Sequence, residues 1–142
     1  MIRIFLDTNV MIDYLARREK FYQNAALVIS LCEEKDFQIL VSALSFATTS
    51  YILSSYHKMS GLAIKSLFQN FVKASCVTPV DSIIVEESMY SDFEDFEDAM
   101  QYYSALRGRA DMIITRNKDD FEISEIPVYE PQEFLDKMMN DR

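Results

Sequence analysis

The first ten residues set the pattern that recurs along the chain. Ile2, Ile4, Phe5 and Leu6 form a short, nearly continuous apolar run, which suits a strand buried on both faces of a parallel sheet rather than a half-solvated edge. The run stops at Asp7-Thr8-Asn9, and apolar residues then return at helical spacing as Val10, Met11, Tyr14 and Leu15. Two readings of the polar break stand side by side. All three residue types cap helix starts, and an acid at the carboxyl end of a central strand also lies where open α/β sheets bind their ligands.

The same alternation continues. Tyr22 to Glu33 predicts a helix through Ala25, Ala26, Val28, Ile29 and Cys32, and Gln38 to Val41 predicts a second strand closing at Ser42. Ser45 to Tyr56 reads as a helix with Phe46, Ile52, Leu53 and Tyr56 inward. Beyond the Ser60-Gly61 break, an amphipathic helix runs from Leu62 to Val72, with Leu62, Ile64, Leu67, Phe68, Phe71 and Val72 apolar. Cys76 to Val80 is a weak third strand, and Asp81-Ser82 caps a helix toward Met89. After an acidic run from Asp92 to Asp98, the residues Ala99, Met100, Tyr103 and Leu106 form one helical stripe. Met112 to Thr115 is a fourth strand, Val128-Tyr129 a short fifth, and Glu133 to Met139 a last helix after Pro131. This order predicts an α/β fold, a single domain over 1–142 with three α/β/α layers. Its sheet is mostly parallel, with four to five strands in the order 3-2-1-4-5.

Composition narrows the picture. A chain of 142 residues with 49% hydrophobic residues, 2 glycines and 3 prolines is compact and helix-rich rather than disordered. It has no apolar run near the roughly 20 residues of a membrane span and no signal-peptide pattern, so the expectation is a soluble cytoplasmic protein without membrane association. Cys32 and Cys76 each sit alone in an apolar stretch and are expected to be buried thiols. Most of the 8 Met, 8 Tyr and 10 Phe fall on apolar helical stripes and are assigned to the core, with some left for a dimer surface. The net charge of −9 argues against a broad, sequence-independent grip on nucleic acid. It leaves nucleic acid open as a substrate, because carboxylates that hold a divalent ion change the local charge when the ion binds.

The candidate chemistry gathers at one crevice. Right-handed crossovers set strand 4 on the far side of strand 1 from strand 2, so Asp7 to Asn9 and Thr115 to Asn117 end beside each other. The helix leading into strand 4 begins near Asp98. Asp92, Glu94 and Asp95 read as a solvated helix start, whereas Asp98 immediately precedes the apolar stripe and belongs at its buried lip. Oxygen donors of this kind suit a hard divalent cation and not zinc. The lone histidine, His57, is assigned to the surface.

At these residues the chain resembles the PIN-domain family of nucleases, and within it the toxin half of VapBC toxin–antitoxin pairs. The resemblance lies in Ile4-Phe5-Leu6-Asp7-Thr8-Asn9-Val10, in Asp95-Phe96-Glu97-Asp98-Ala99, and in Ile113-Ile114-Thr115-Arg116-Asn117 with Asp120-Phe121. It implies a metal-dependent ribonuclease, a homodimer, and a small antitoxin protein as partner. In that reading Asp7 and Asp98 hold Mg²⁺ or Mn²⁺, Asn117 adds a neutral oxygen or holds a water, and Thr115 and Asn9 orient the carboxylates. Two positions depart from the family pattern. The acid expected after strand 2 falls at Thr48, and the last acid falls at Asn117; Asp120 and Glu97 are the nearer candidates to fill a gap. Asp111, at the start of strand 4, lies over ~10 Å from the crevice and is assigned to a turn or strand edge. Arg116 or Lys118 could contact the RNA backbone, although a solvated loop charge is the commoner role for such residues. The departures support a second reading, a catalytically degenerate PIN-like module that binds RNA or protein. A nucleotide-binding or phosphatase-like α/β domain fits less well, since Gly61 and Gly108 form no glycine-rich phosphate loop.

Overall fold

The computed structural model describes residues 1–140. Strands β1 (Arg3–Leu6), β2 (Gln38–Ser42), β3 (Ser75–Thr78), β4 (Met112–Ile114) and β5 (Val128–Tyr129) form one sheet in the order β3-β2-β1-β4-β5. Every pairing is parallel. The connections are α1 (Thr8–Leu15), α2 (Tyr22–Glu34), α3 (Ala43–Ser55), α4 (Gly61–Phe71), α5 (Ser82–Met89) and α6 (Phe96–Arg107), with α7 (Pro131–Asn140) after the last strand. The strand order is the one expected from the sequence.

The register shows why the three central strands read as unbroken apolar runs. Ile4 pairs with Ile39 and Met112, while Phe5 pairs with Leu40 and Ile113. Because successive side chains alternate between faces, the first row joins Leu6, Val41 and Ile114 in a core closed by α1, α2, α4 and α7. The second row, Phe5, Leu40 and Ile113, meets Tyr102, Ala105 and Phe121 on the opposite face. Complete burial of a Leu, Ile or Phe side chain contributes about 1.5–3 kcal/mol, so the centre of the sheet carries most of the cohesion. The helix starts are fixed locally. Asp7, Ser42, Ser60, Asp81 and Asp95 each accept a backbone N–H with their own side chain at the start of α1, α3, α4, α5 and α6.

Several expectations are corrected. Ser42 ends β2 and also caps α3, so α3 begins at Ala43 rather than Ser45, with no loop between. Strand β3 spans Ser75–Thr78 and stops before Pro79, which has no N–H to give a ladder. As the edge strand, β3 leaves Cys76 and Val77 exposed, so Cys76 is not the buried thiol expected. Cys32 is buried, and desolvation pushes its thiol up to about 12. Tyr56, at the end of α3, is 70% exposed instead of inward, and Leu62 and Val72 flank rather than enter the α4 contact. The stripe of α6 is Ala99, Tyr102 and Ala105, with Gln101 and Ser104 also buried, rather than Met100, Tyr103 and Leu106. Small residues let this helix approach the sheet closely. Among the described residues no helix is long and apolar enough to cross a membrane.

Gly108, at the end of α6, marks the tightest of these approaches. A Cβ there would lie 2.5 Å from Thr78 Cγ2 and 3.1 Å from Leu40 Cδ1, whereas a Cβ on Gly61 would meet open space. Gly108→Ala should therefore destabilise the fold by about 1–3 kcal/mol. Gly61→Ala, in the first turn of α4, should leave stability unchanged or raise it by up to about 1 kcal/mol. Urea midpoints at unchanged m-value check both.

Candidate active site

The site is built outward from Asp7. Its backbone N–H donates to Ile114 O at 2.9 Å, which continues the pairing of β1 with β4 by one residue and carries the side chain to the carboxyl edge of the sheet. The residue is only 7% exposed. Oδ1 accepts from Thr8 N at 2.9 Å and from Gln101 Nε2 at 3.0 Å. Oδ2 accepts from Thr115 Oγ1 at 2.8 Å and from Asn9 Nδ2 at 3.4 Å. The two readings of Asp7 thus coincide, for the same carboxylate caps α1 and occupies the buried end of the crevice.

Asn9 and Thr115 tie the ends of β1 and β4 together. Asn9 Nδ2 also donates to Thr115 Oγ1 at 3.2 Å, and Asn9 Oδ1 accepts from the backbone N–H of Arg116 at 3.2 Å. Asn117 N donates to Thr115 Oγ1 at 3.1 Å, so the hydroxyl collects two donors and passes its own proton to Asp7. Asn117 is therefore joined to this group through its main chain. It lines an adjacent cleft of about 690 Å³, which shares Asp119 and Asp120 with a second, acidic one.

Asp98 stands at that acidic cleft, of about 600 Å³, lined by Asp92, Phe93, Glu94, Asp95, Asp98, Asp119, Asp120, Glu122 and Ile123. Among the described residues no basic side chain lines it. Asp95 caps α6 by accepting from Asp98 N at 2.9 Å, which sets Asp98 in the first turn, half-buried. Burial first, then the charges of Asp95, Asp120, Asp7 and Glu97, push its carboxyl up to about 7. Asp7 is also raised by burial and, more weakly, by Asp120, against the lowering effect of the hydrogen bonds from Gln101, Thr115 and Thr8. Asp7, Asp98 and Asp120 thus share one electrostatic field. Thr48, the position of the departed acid, donates to Glu97 Oε1 at 3.4 Å and so faces the start of α6.

Among the described residues no three Asp, Glu, His or Cys side chains are gathered into a ready-made metal cage. The donor chemistry nevertheless fits one kind of ion. Mg²⁺ is held by one or two carboxylates with water completing its shell, and Asp7 and Asp98 offer two mutually repelling carboxyls beside a cleft without a cationic partner.

Gln101 is the residue that the pattern of the sequence did not single out. It is 2% exposed and three residues beyond Asp98, hence on the same face of α6, and it reaches Asp7 directly. The small residues Ala99, Ser104 and Ala105 around it were the available signal. Arg116 is placed otherwise than expected, whereas Lys118 is a solvated charge. Arg116 Nε lies 2.6 Å from Asp13 Oδ2 with its guanidinium 3.8 Å above the Phe21 ring, and Lys118 pairs with Glu133 at 3.1 Å. The first is engaged within the chain, and the second stays in contact with solvent. His57 is exposed, and Asp111 accepts from Arg3 N at 2.7 Å at the start of β4, both as expected.

Residues 3–119 match the family model described as PIN domain. The chain belongs to the PIN-domain family. Among PIN-domain relatives, it is 24% identical to ribonuclease VapC1 of Aquifex aeolicus (strain VF5) over 140 residues, covering 95% of this chain and 94% of that protein. It also shares its fold with three solved structures. One is a toxin–antitoxin complex from Klebsiella pneumoniae, with a TM-score of 0.64, 21% identity and coverage of 90% of this chain and 97% of that one. The second is VapBC2 from Rickettsia felis bound to a DNA fragment from their promoter, with a TM-score of 0.62, 16% identity and coverage of 91% and 98%. The third is VapBC-1 from nontypeable Haemophilus influenzae, with a TM-score of 0.63, 15% identity and coverage of 92% and 99%.

The raised carboxyl of Asp98 in this PIN domain has a consequence for stability. Between its ordinary value of 3.8 and about 7, the folded chain keeps a proton that the unfolded chain has released. In metal-free protein this residue therefore lowers stability as pH rises through that window. Asp98→Asn should match the parent near pH ~4 and exceed it near pH ~8, as read by urea unfolding in the presence of EDTA.

Proposed function

We propose that this chain is a divalent-metal-dependent endoribonuclease, the toxin of a type II toxin–antitoxin pair. The observation that carries the reading is the pair formed by a buried Asp7 at the end of β1 and an Asp98 pushed up to about 7 at the lip of a cleft without basic lining. Membership of the PIN-domain family, a relative that is a ribonuclease, and fold neighbours in toxin–antitoxin complexes support it. The partners that follow are an RNA substrate, a small antitoxin protein and a second copy of the chain.

Asp7 and Asp98 would hold Mg²⁺ or Mn²⁺, and the side-chain carbonyl of Asn117 would contribute a neutral oxygen. The chemistry such an ion supplies when bound is Lewis acidity, which lowers the pKa of a water and offsets the charge that builds on the phosphate. The protein's own part is orientation. Thr115 and Asn9 fix the outer oxygen of Asp7, Thr8 N and Gln101 fix the inner one, and Asp120 adds negative charge that favours a cation over a bare phosphate. Thr48 and Glu97, bonded to each other, stand by the start of α6 as a supporting pair.

Purified protein is expected to cleave RNA with Mg²⁺ or Mn²⁺ and to stop on addition of EDTA. Asp7→Asn or Asp98→Asn should reduce the rate by at least the roughly 100-fold that even residues behind a metal's ligands can contribute. Intact RNA at every metal concentration would overturn the proposal. The absence of a three-carboxylate cage among the described residues, with threonine at position 48, favours the binding-module reading as the alternative. Loss of Mn²⁺ affinity up to the millimolar range together with intact RNA would select it.

A further inference from the structure

Gln101 is buried between three elements, and both ends of its amide are engaged. Nε2 lies 3.0 Å from each of Asp7 Oδ1, Thr8 Oγ1 and Ser45 Oγ, and Oε1 accepts from Ser42 Oγ. An amide can be turned over with little change of shape, so its direction is set by the donors and acceptors around it. One of those donors has no freedom. The backbone N–H of Ser45 can only donate, and it donates to Ser42 Oγ at 3.1 Å, the bond that caps α3. That bond uses one of the two lone pairs of Ser42 Oγ, and the hydroxyl proton serves Gln101 Oε1 once Asp7, whose Oδ1 takes the N–H₂, has turned the amide. Gln101 then presents its N–H₂ to Asp7, Thr8 and Ser45. The reverse orientation would set Oε1 against the Asp7 carboxylate, acceptor facing acceptor, so Asp7 decides the direction of the amide and Ser42 holds its far end.

We propose that Ser42, acting through Gln101, is a positioning residue for Asp7: the hydroxyl that caps α3 anchors the far end of the Gln101 amide, whose near end holds Oδ1 of Asp7. Among the described residues Ser42 makes no hydrogen bond to Asp7 itself, and it is fully buried; it reaches the site through this Gln101 relay and, at 3.2 Å, through Ser45 Oγ, which lies against Thr8. The hydroxyls of Thr8 and Ser45, 2.7 Å apart, close the same group and leave Nε2 no acceptor other than protein. The start of α3 is thereby linked to the end of β1 across a helix from the other face of the sheet. The metal-binding part of this inference rests on the reading of Asp7 given above; the relay itself does not.

The test separates the two. In metal-free protein, nitrogen–proton correlation spectra should show the Gln101 side-chain amide as two well-separated, slowly exchanging signals. Ser42→Thr should keep them, and Ser42→Ala should move them toward the values of a solvent-exposed amide. Mn²⁺ affinity, read by titration calorimetry, should fall roughly tenfold or more in both Ser42→Ala and Gln101→Met. Because the two residues act in series, the double variant should bind no more weakly than Gln101→Met alone, and Ser42→Thr should bind as the parent does. Ser42→Gly, which costs a helix start little, replaces Ser42→Ala if the latter does not fold. Unchanged Gln101 signals in Ser42→Ala or Ser42→Gly, or additive losses in the double variant, would overturn the relay. A parent protein without Mn²⁺ affinity would instead overturn the nuclease reading, while the amide signals still decide the relay.

Discussion

A carboxylate withdrawn from water must be given donors, and the burial of Asp7 is the constraint around which this protein is arranged. Hydrogen bonds to a charged group contribute about 1.5–3 kcal/mol each, while removing such a group from water costs several kcal/mol. The donors needed come from Thr8 and Asn9 after β1, Thr115 after β4, and Gln101 on α6. No single element supplies them all. They meet only because β4 pairs beside β1 and α6 crosses the same edge, so the sheet order and the crevice satisfy one requirement. Burial still prevails over the donors, for the carboxyl of Asp7 remains above its ordinary range.

Asp98 shares that stress, burial being again the largest cause, and adds a second. It is less buried but surrounded by like charge, and the cap that fixes its position is itself an acid, Asp95. Crowding of this sort is destabilising in a bare protein and is relieved by a cation. The acids line a cleft instead of spreading over the surface because α6 starts against the 118–121 turn, bringing Asp119 and Asp120 to face Asp95 and Asp98.

Legibility in the sequence followed burial and chemistry unevenly. β1, β2 and β4 were readable because strands covered on both faces are apolar without interruption, and their polar ends at Asp7, Ser42 and Thr115 stand out against such runs. The parallel order followed from the helices between them. α6 was misread because Met100, Tyr103 and Leu106 are the conspicuous apolar residues, while close packing is done by Ala99 and Ala105, whose size gives them little weight in a hydrophobic pattern. Gln101 was hidden by that rotation of the helix face. Cys76 was misplaced because its apolar neighbours suggest a core strand, and an edge position is a property of topology. The engagement of Arg116 could not be read either, since its partner Asp13 lies more than a hundred positions away on a helix that otherwise reads as apolar.

That pairing reaches beyond its own energy. Asp13 is 1% exposed, Arg18 approaches it from the other side at 3.4 Å, and the guanidinium of Arg116 is sandwiched against Phe21. Mobile salt reaches such an ion pair poorly, in contrast to the solvated pair of Lys118 with Glu133 one step further along. The segment carrying Thr115 and Asn117 is thus clasped to the first helix by a contact that ionic strength weakens little, so the frame of the crevice should hold together in brine.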